Sequence, residues 1–199
     1  MRMRTGLSPS VTTVGPADAE RAIATVVLAF GTDPIARWSL PDPRDYLTYF
    51  PAIVRGMGGS AFAHGTADEV GGFTGAALWL PPGVHPDEET LTAVLERGVP
   101  SERQAEVAAL LEEMARYHPT EAHWYLPLIG VDPTHQGQGL GGTLLQHALR
   151  RCDQDHLPAY LESTNPANVP LYERHGFEIV GSIQVGSSPP LVPMRRAAR

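Results

Sequence analysis

The segment Val131-Asp132-Pro133-Thr134-His135-Gln136-Gly137-Gln138-Gly139-Leu140-Gly141-Gly142 places four glycines in its last six positions and runs straight into a helical pattern. Leu140, Leu144, Leu145, Ala148 and Leu149 fall on one face of that helix. Glycine lets a backbone take positive φ and come close to a ligand. A turn that opens a helix aims unpaired N–H groups and a positive dipole end at whatever lies before it. Together these features make a pyrophosphate cradle that needs no side-chain charge, and Gln136, Gly137, Gln138, Gly139, Leu140, Gly141, Gly142 and Thr143 are its candidate residues. A plain flexible loop is the bland alternative. It is costly, because each glycine loses backbone entropy on ordering.

Composition narrows the chemistry. The chain has 199 residues, enough for one domain with a sizeable core. All 15 basic residues are Arg, so no Schiff-base lysine and no Walker-type phosphate loop exist. A net charge of −7 argues against nucleic acid as a partner. The single Cys152 excludes a disulfide framework; it stands beside Arg151 with no base in view, which reads as structural. No apolar run reaches the roughly 20 residues of a membrane span. The early apolar stretch follows Asp18 and Glu20 rather than a basic run, so the reading is of a cytoplasmic protein without a membrane partner.

The elements that must position these residues read as a single mixed α/β domain, 1–199. Residues 1–10 are polar and expected to be loose. Strand is expected at Ser10 to Val14, helix from Pro16 to Phe30, turns over 31–43, and helix again around Tyr46 to Val54. Ala61 to His64 and Gly72 to Leu80 read as strands joined by a turn rich in Asp, Glu and Gly. Two helices are expected within 81–120, the second opened by a Ser101-x-x-Gln104 capping box. His123 to Val131 and Pro158 to Ser163 return to strand. A short helix from Asn168 to His175 precedes final strands at Phe177 to Val185 and Leu191 to Met194.

Two pyrophosphate ligands fit the glycine turn. Gly137, Gly139 and Gly142 spell the GxGxxG of a nicotinamide dinucleotide site, and Glu162 lies twenty residues beyond, where a ribose-binding acid would sit. Against it, Asp132 to Gln136 separate the strand from the first glycine, and only 37 residues follow Glu162. The other ligand is coenzyme A. Gln136-x-x-Gly139-x-Gly141 after Val131-x-Pro133 resembles the acetyl-CoA signature of the GNAT N-acetyltransferase superfamily. The likeness continues through Tyr160-Leu161-Glu162-Ser163-Thr164 and Asn168-Val169-Pro170-Leu171-Tyr172 to Gly176-Phe177. Trp124-Tyr125-Leu126, His135-Gln136-Gly137 and Leu161 to Thr164 are most similar to the puromycin N-acetyltransferase branch, as is the long stretch between Leu80 and His123.

The resemblance implies a mostly antiparallel mixed sheet flanked by helices, with a helical insertion (81–120) before an acetyl-CoA-binding core (122–182). It implies acetyl-CoA as co-substrate and a direct attack on the thioester by an amine. Such chemistry needs a donor to the carbonyl oxygen, an acid for the leaving sulfur and a base for the amine. The resemblance assigns the first to a splayed strand, Leu128-Ile129-Gly130-Val131, in which Gly130 would suit a bulge or a close backbone approach. It assigns the acid to Tyr172, and Asn168 to the coenzyme arm. Core burial of Tyr172 and a helix N-cap at Asn168 are their ordinary alternatives. Glu162, a carboxylate in an apolar strand, is the candidate base; a structural pairing with an Arg or a backbone donor competes with that role, and His118 and His123 stand behind it. Trp38, Tyr46, Tyr49, Phe50, Trp79 and Trp124 are candidates for an aromatic acceptor wall, or simply for the core.

The leading expectation is acetyl transfer to a small-molecule amine by a monomer or homodimer. A protein or peptide amine is the close alternative. A non-catalytic acyl-CoA-binding module and an NAD-dependent oxidoreductase are the alternatives from other classes.

Overall fold

The computed structural model describes residues 9–199. Most of the segment expected to be loose, residues 1–8, lies outside the described part. The helices are α1 (Ala19–Ala29), α2 (Pro34–Ser39), α3 (Pro43–Gly58), α4 (Ser60–His64), α5 (Glu88–Gly98), α6 (Ser101–Tyr117), α7 (Leu140–Gln154) and α8 (Val169–Arg174). The strands are β1 (Val11–Thr13), β2 (Ala67–Val70), β3 (Gly75–Leu80), β4 (Trp124–Val131), β5 (Ala159–Ser163), β6 (Glu178–Ile179) and β7 (Val192–Arg196). They form one sheet in the order β1-β2-β3-β4-β5-β7-β6, antiparallel throughout except where β4 meets β5. This is the mixed sheet expected from the sequence. It is not the doubly wound parallel sheet of a dinucleotide fold.

Period-two burial sets the layers. Along β3, Ala76, Leu78 and Leu80 enter one core while Ala77 and Trp79 enter the other. The first core is covered by α1, α3 and α6, through Val26, Phe50 and Leu110 among others. The second is covered by α7 and α8, through Leu144, Leu145 and Tyr172. Residues 81–120 carry α5 and α6. Gly56 of α3 gives α5 its close approach, for a Cβ there would stand 2.8 Å from Leu91.

Four local expectations are corrected. Residues 31–43 hold a helix as well as turns: Asp33 caps α2, its carboxylate accepting the N–H groups of Ile35 and Ala36 at 3.0 Å, and Pro34 fits the first helical position. Ala61 to His64 is helix α4, and the strand lies in the acidic stretch after it. There Asp68 is fully buried because Arg151 reaches it at 2.6 Å from α7. Ser101 and Gln104 do not form a capping box; Pro100 occupies the cap, and the Gln104 amide donates to the carbonyls of Glu96 and Val99 instead. After Phe177 only β6 and an isolated Ile183–Leu191 bridge precede β7.

Candidate active site

The site begins with an irregularity in β4. Leu78 pairs with Leu128, but Leu80 pairs with Tyr125, so Trp79 alone faces both Leu126 and Pro127. The extra residue is a β-bulge that bends its strand, and Pro127 offers no N–H to a neighbour. β4 pairs with β5 only at Trp124–Ala159 and Tyr125–Tyr160. Beyond the bulge the two strands part.

The pleat decides which groups face the gap. Asp132 donates its N–H to Thr74 across β3 at 2.8 Å. By alternation Gly130 and Leu128 also aim toward β3, while Ile129 and Val131 aim their N–H groups into the gap. Leu128 is a core residue and does not line the cleft. Gly130 is not the bulge. A Cβ on it would stand 2.5 Å from the Ala29 Cβ, so its smallness serves the packing of α1 on the sheet.

The glycine turn forms one wall. Gly137 and Gly139 have φ of +75° and +82°, and a Cβ on either would meet nothing within 4 Å. Gly139 is the N-cap of α7 with no side-chain hydrogen bond, and the first helical bond runs from the Thr143 N–H to the Gly139 carbonyl. The N–H groups of Leu140, Gly141 and Gly142 therefore have no carbonyl partner within the helix. Gln136 donates from its side-chain amide to the Val131 carbonyl at 3.2 Å and ties the turn to β4. Gln138 is exposed and outside the cleft lining, and the Thr143 hydroxyl is spent on the Gly139 carbonyl. Open cradle, free N–H groups and splayed strand together fit a pantetheine arm ending in a pyrophosphate.

Ile129, Gly130, Val131, the turn glycines, Leu140, Asn168, Tyr172 and Glu162 all line one cleft of about 510 Å3. Asn168 makes no capping hydrogen bond; Asn165 takes that duty three residues earlier, accepting from the Ala167 N–H. Tyr172 is 6% exposed and packs edge-on against Phe177 at 6.1 Å. Burial first, and the Asp33 carboxylate second, push its phenol well above the ordinary value, so it keeps its proton at neutral pH.

Glu162 reaches the cleft from the other face of the sheet. Its side chain is 4% exposed, and one oxygen accepts the Tyr125 hydroxyl at 2.9 Å. The other lies 3.8 Å from Nδ1 of His118. The partner is thus a phenol and an imidazole, not the Arg or backbone donor weighed from the sequence. Burial and the Glu162 charge hold the Tyr125 phenol protonated.

Several cleft residues escaped the sequence reading, Thr32, Asn165 and Arg174 among them. So did Phe30 and Asp33, in the α1–α2 connection, which line the same cleft as Glu162. The Asp33 carboxyl accepts from the Thr164 hydroxyl at 2.6 Å, yet burial outweighs that bond and raises its pKa. The Asp33-Pro34 spelling announces a helix start, and only tertiary packing brings it to a site. Conversely, none of the six candidate wall aromatics lines the cleft. Tyr46 donates to the Val27 carbonyl at 2.7 Å and stacks on Phe50, Trp124 donates to Asp155 at 2.9 Å, and Trp38 donates to Ser187 at 3.0 Å. Trp79 is fully buried and Tyr49 packs against Gly98. Cys152 is fully buried, and burial pushes its thiol up to about 12, which leaves it inert.

A family model for the acetyltransferase (GNAT) family matches residues 82–177. An uncharacterized N-acetyltransferase of Schizosaccharomyces pombe is 29% identical over 203 residues, covering 89% of this chain and 77% of the relative. A Corynebacterium glutamicum crystal structure, described as histone acetyltransferase HPA2 and related acetyltransferase, superposes with a TM-score of 0.71 at 24% identity, covering 97% of this chain and 98% of that one. A Drosophila melanogaster polyamine N-acetyltransferase gives 0.66 at 16% identity, covering 96% and 100%. Residues 82–177 are thus similar in sequence to the acetyltransferase (GNAT) family, and the fold is the one these acetyltransferase structures share. Among the described residues, no helix is long and apolar enough to cross a membrane.

Proposed function

We propose that this chain acetylates the amine of a small molecule, using acetyl-CoA and direct attack in a ternary complex. The observation that carries the reading is the parting of β4 from β5, with the glycine turn and Tyr172 on one face of the sheet and Glu162 on the other. Acetyl-CoA supplies an activated thioester. Gly137 to Gly142 would hold its diphosphate on backbone N–H groups, and Asn168 its arm. The N–H groups of Ile129 and Val131 are aimed to hold negative charge on a carbonyl oxygen in the gap. Tyr172, kept protonated by burial, would give its proton to a departing sulfur. Glu162 would take the proton of the attacking amine.

Two acids, Asp33 and Glu162, line the cleft together with Phe30. That lining favours a cationic amine with an apolar portion. The polyamine activity of the Drosophila neighbour supports the small-molecule reading, and the histone activity in the description of the Corynebacterium neighbour supports a peptide amine. Affinity to the puromycin branch rests on Trp124-Tyr125-Leu126, His135-Gln136-Gly137 and the paired helices α5 and α6. The test is thiol release from acetyl-CoA across puromycin, aminoglycosides, polyamines, arylalkylamines and a histone-tail peptide. Turnover with a small amine is expected. Turnover confined to the peptide would replace the acceptor class, and acetyl-CoA binding without turnover on any amine would leave a non-catalytic module.

A further inference from the structure

We infer that His118 and His123 form a proton outlet leading from Glu162 to solvent. The inference rests on the reading of Glu162 as the base that accepts the amine proton.

Glu162 is nearly enclosed, so a proton it takes up needs an exit before the next turnover. Of its two oxygens, one is occupied by the Tyr125 hydroxyl. The other faces Nδ1 of His118 at 3.8 Å. His118 in turn places Nε2 at 3.1 Å from Nε2 of His123, and Nδ1 of His123 lies 2.7 Å from the Glu121 carbonyl. These contacts fix the ring protons. A carbonyl only accepts, so His123 carries its proton on Nδ1 and leaves Nε2 bare. His118 must then donate from Nε2, which leaves its own Nδ1 bare and turned toward Glu162. A bare nitrogen facing a carboxylate oxygen has no proton to share in the resting state, and the pair stands beyond hydrogen-bond range. When the carboxyl gains the amine proton, the contact becomes favourable, across a small ring rotation or one bridging water.

The proton count balances. Glu162 takes one proton from the amine and passes it to Nδ1 of His118. The Nε2 proton of His118 moves to Nε2 of His123, and His123 releases one proton to bulk water. Both rings are half-buried, and exchange with solvent restores their starting tautomers. Burial and the adjacent His118 lower the pKa of His123, which keeps it neutral and able to accept.

The charged and titratable surroundings are defined. Tyr125 of β4 and Tyr160 of β5 stand edge-on to His118, with ring centres at 4.7 and 5.1 Å, and both phenols are held protonated by burial and the Glu162 charge. Tyr117 of α6 lies near Tyr160. The Glu121 carboxylate pairs with Arg195 of β7 at 2.7 Å. The Tyr160 hydroxyl is buried near the Glu162 carboxylate and makes no hydrogen bond of good geometry among the described residues.

Two measurements test the outlet. With puromycin, spermidine and 2-phenylethylamine as acceptors, His123→Ala in dilute buffer is expected to lower kcat about tenfold while KM holds, and added imidazole is expected to restore it. His118→Ala should behave alike but more severely. Histidine-ring nitrogen NMR of the protein alone should place the protons on Nε2 of His118 and Nδ1 of His123, and His118→Ala should raise the titration midpoint of His123. Wild-type kcat in both variants, loss that imidazole does not repair, or a His123 titration blind to His118 would each overturn the outlet. Glu162→Gln separates the two ideas. If it is inactive while both histidine variants are normal, only the outlet falls; if it is fully active, the base assignment falls.

Discussion

Gly130 of β4 lies against Ala29 of α1 so closely that a single added methyl would stand 2.5 Å from the Ala29 Cβ. α1 leads directly into the Phe30–Asp33 wall of the cleft, so this contact sets the spacing between that wall and the splayed strand. Gly130→Ala is expected to overpack the contact and cost about 1–3 kcal/mol, read as a lower denaturation midpoint. Ala29→Gly in the same chain should recover part of the loss, since it removes the opposing methyl at the end of a helix. A double-mutant cycle with no coupling between the two sites would refute the contact's role.

Tyr172→Phe tests the acid proposed for the leaving sulfur. The ring stays, its packing on Phe177 stays, and only the hydroxyl goes. The expected result is a fall in turnover of about 100-fold with acetyl-CoA affinity held within a few-fold. Because burial holds this phenol protonated well beyond neutrality, the wild-type rate should show no falling alkaline limb below pH 9 that Tyr172→Phe removes. Equal turnover in the variant would take Tyr172 out of the mechanism.

What the sequence discloses here is what depends on local backbone chemistry. The turn from Gln136 to Gly142, the end of β4 at Val131 and the Asn168-to-Tyr172 spacing are all local, and the structure brings them to one cleft. What stayed hidden depends on partners far along the chain. Asp68 and Glu69 look like turn residues, and they sit in β2 because Arg151 and Thr13 reach one Asp68 oxygen and the Phe73 N–H reaches Glu69. The candidate aromatics look like a pocket and are core, since Tyr46, Trp38 and Trp124 find polar partners within the protein. Phe30 and Asp33 show no chemical signal in sequence, because their role comes from where α1 ends over the sheet.

Gly139→Val tests the cradle. The φ of +82° is one that β-branched side chains resist, at about 1–2 kcal/mol. No protein atom lies within 4 Å of the new Cβ, so steric loss inside the protein is small and the added bulk enters the space assigned to the diphosphate. Excess acetyl-CoA is expected to raise the melting temperature of the wild type and not of the variant, while NAD raises neither. An unchanged acetyl-CoA shift in a folded variant would place the diphosphate elsewhere.

Asp33→Asn tests the buried carboxyl of the cleft wall through pH. Burial raises the pKa of Asp33 in the folded protein above the ordinary 3.8, against the pull of Thr164 and the helix N–H groups. The native state therefore binds this proton more tightly than the unfolded state does. Stability from that proton is complete below the unfolded value and is lost as pH rises through the raised folded value. The asparagine keeps an oxygen for the Ile35 and Ala36 N–H groups and an amide for the Thr164 hydroxyl, so α2 stays capped. Urea unfolding at a series of pH values should find the variant gaining on the wild type from about pH 4 upward, with the gap constant above the raised pKa. A gap that does not vary with pH would mean that Asp33 ionises as freely as in water, and that this part of the cleft is wetter than its burial implies.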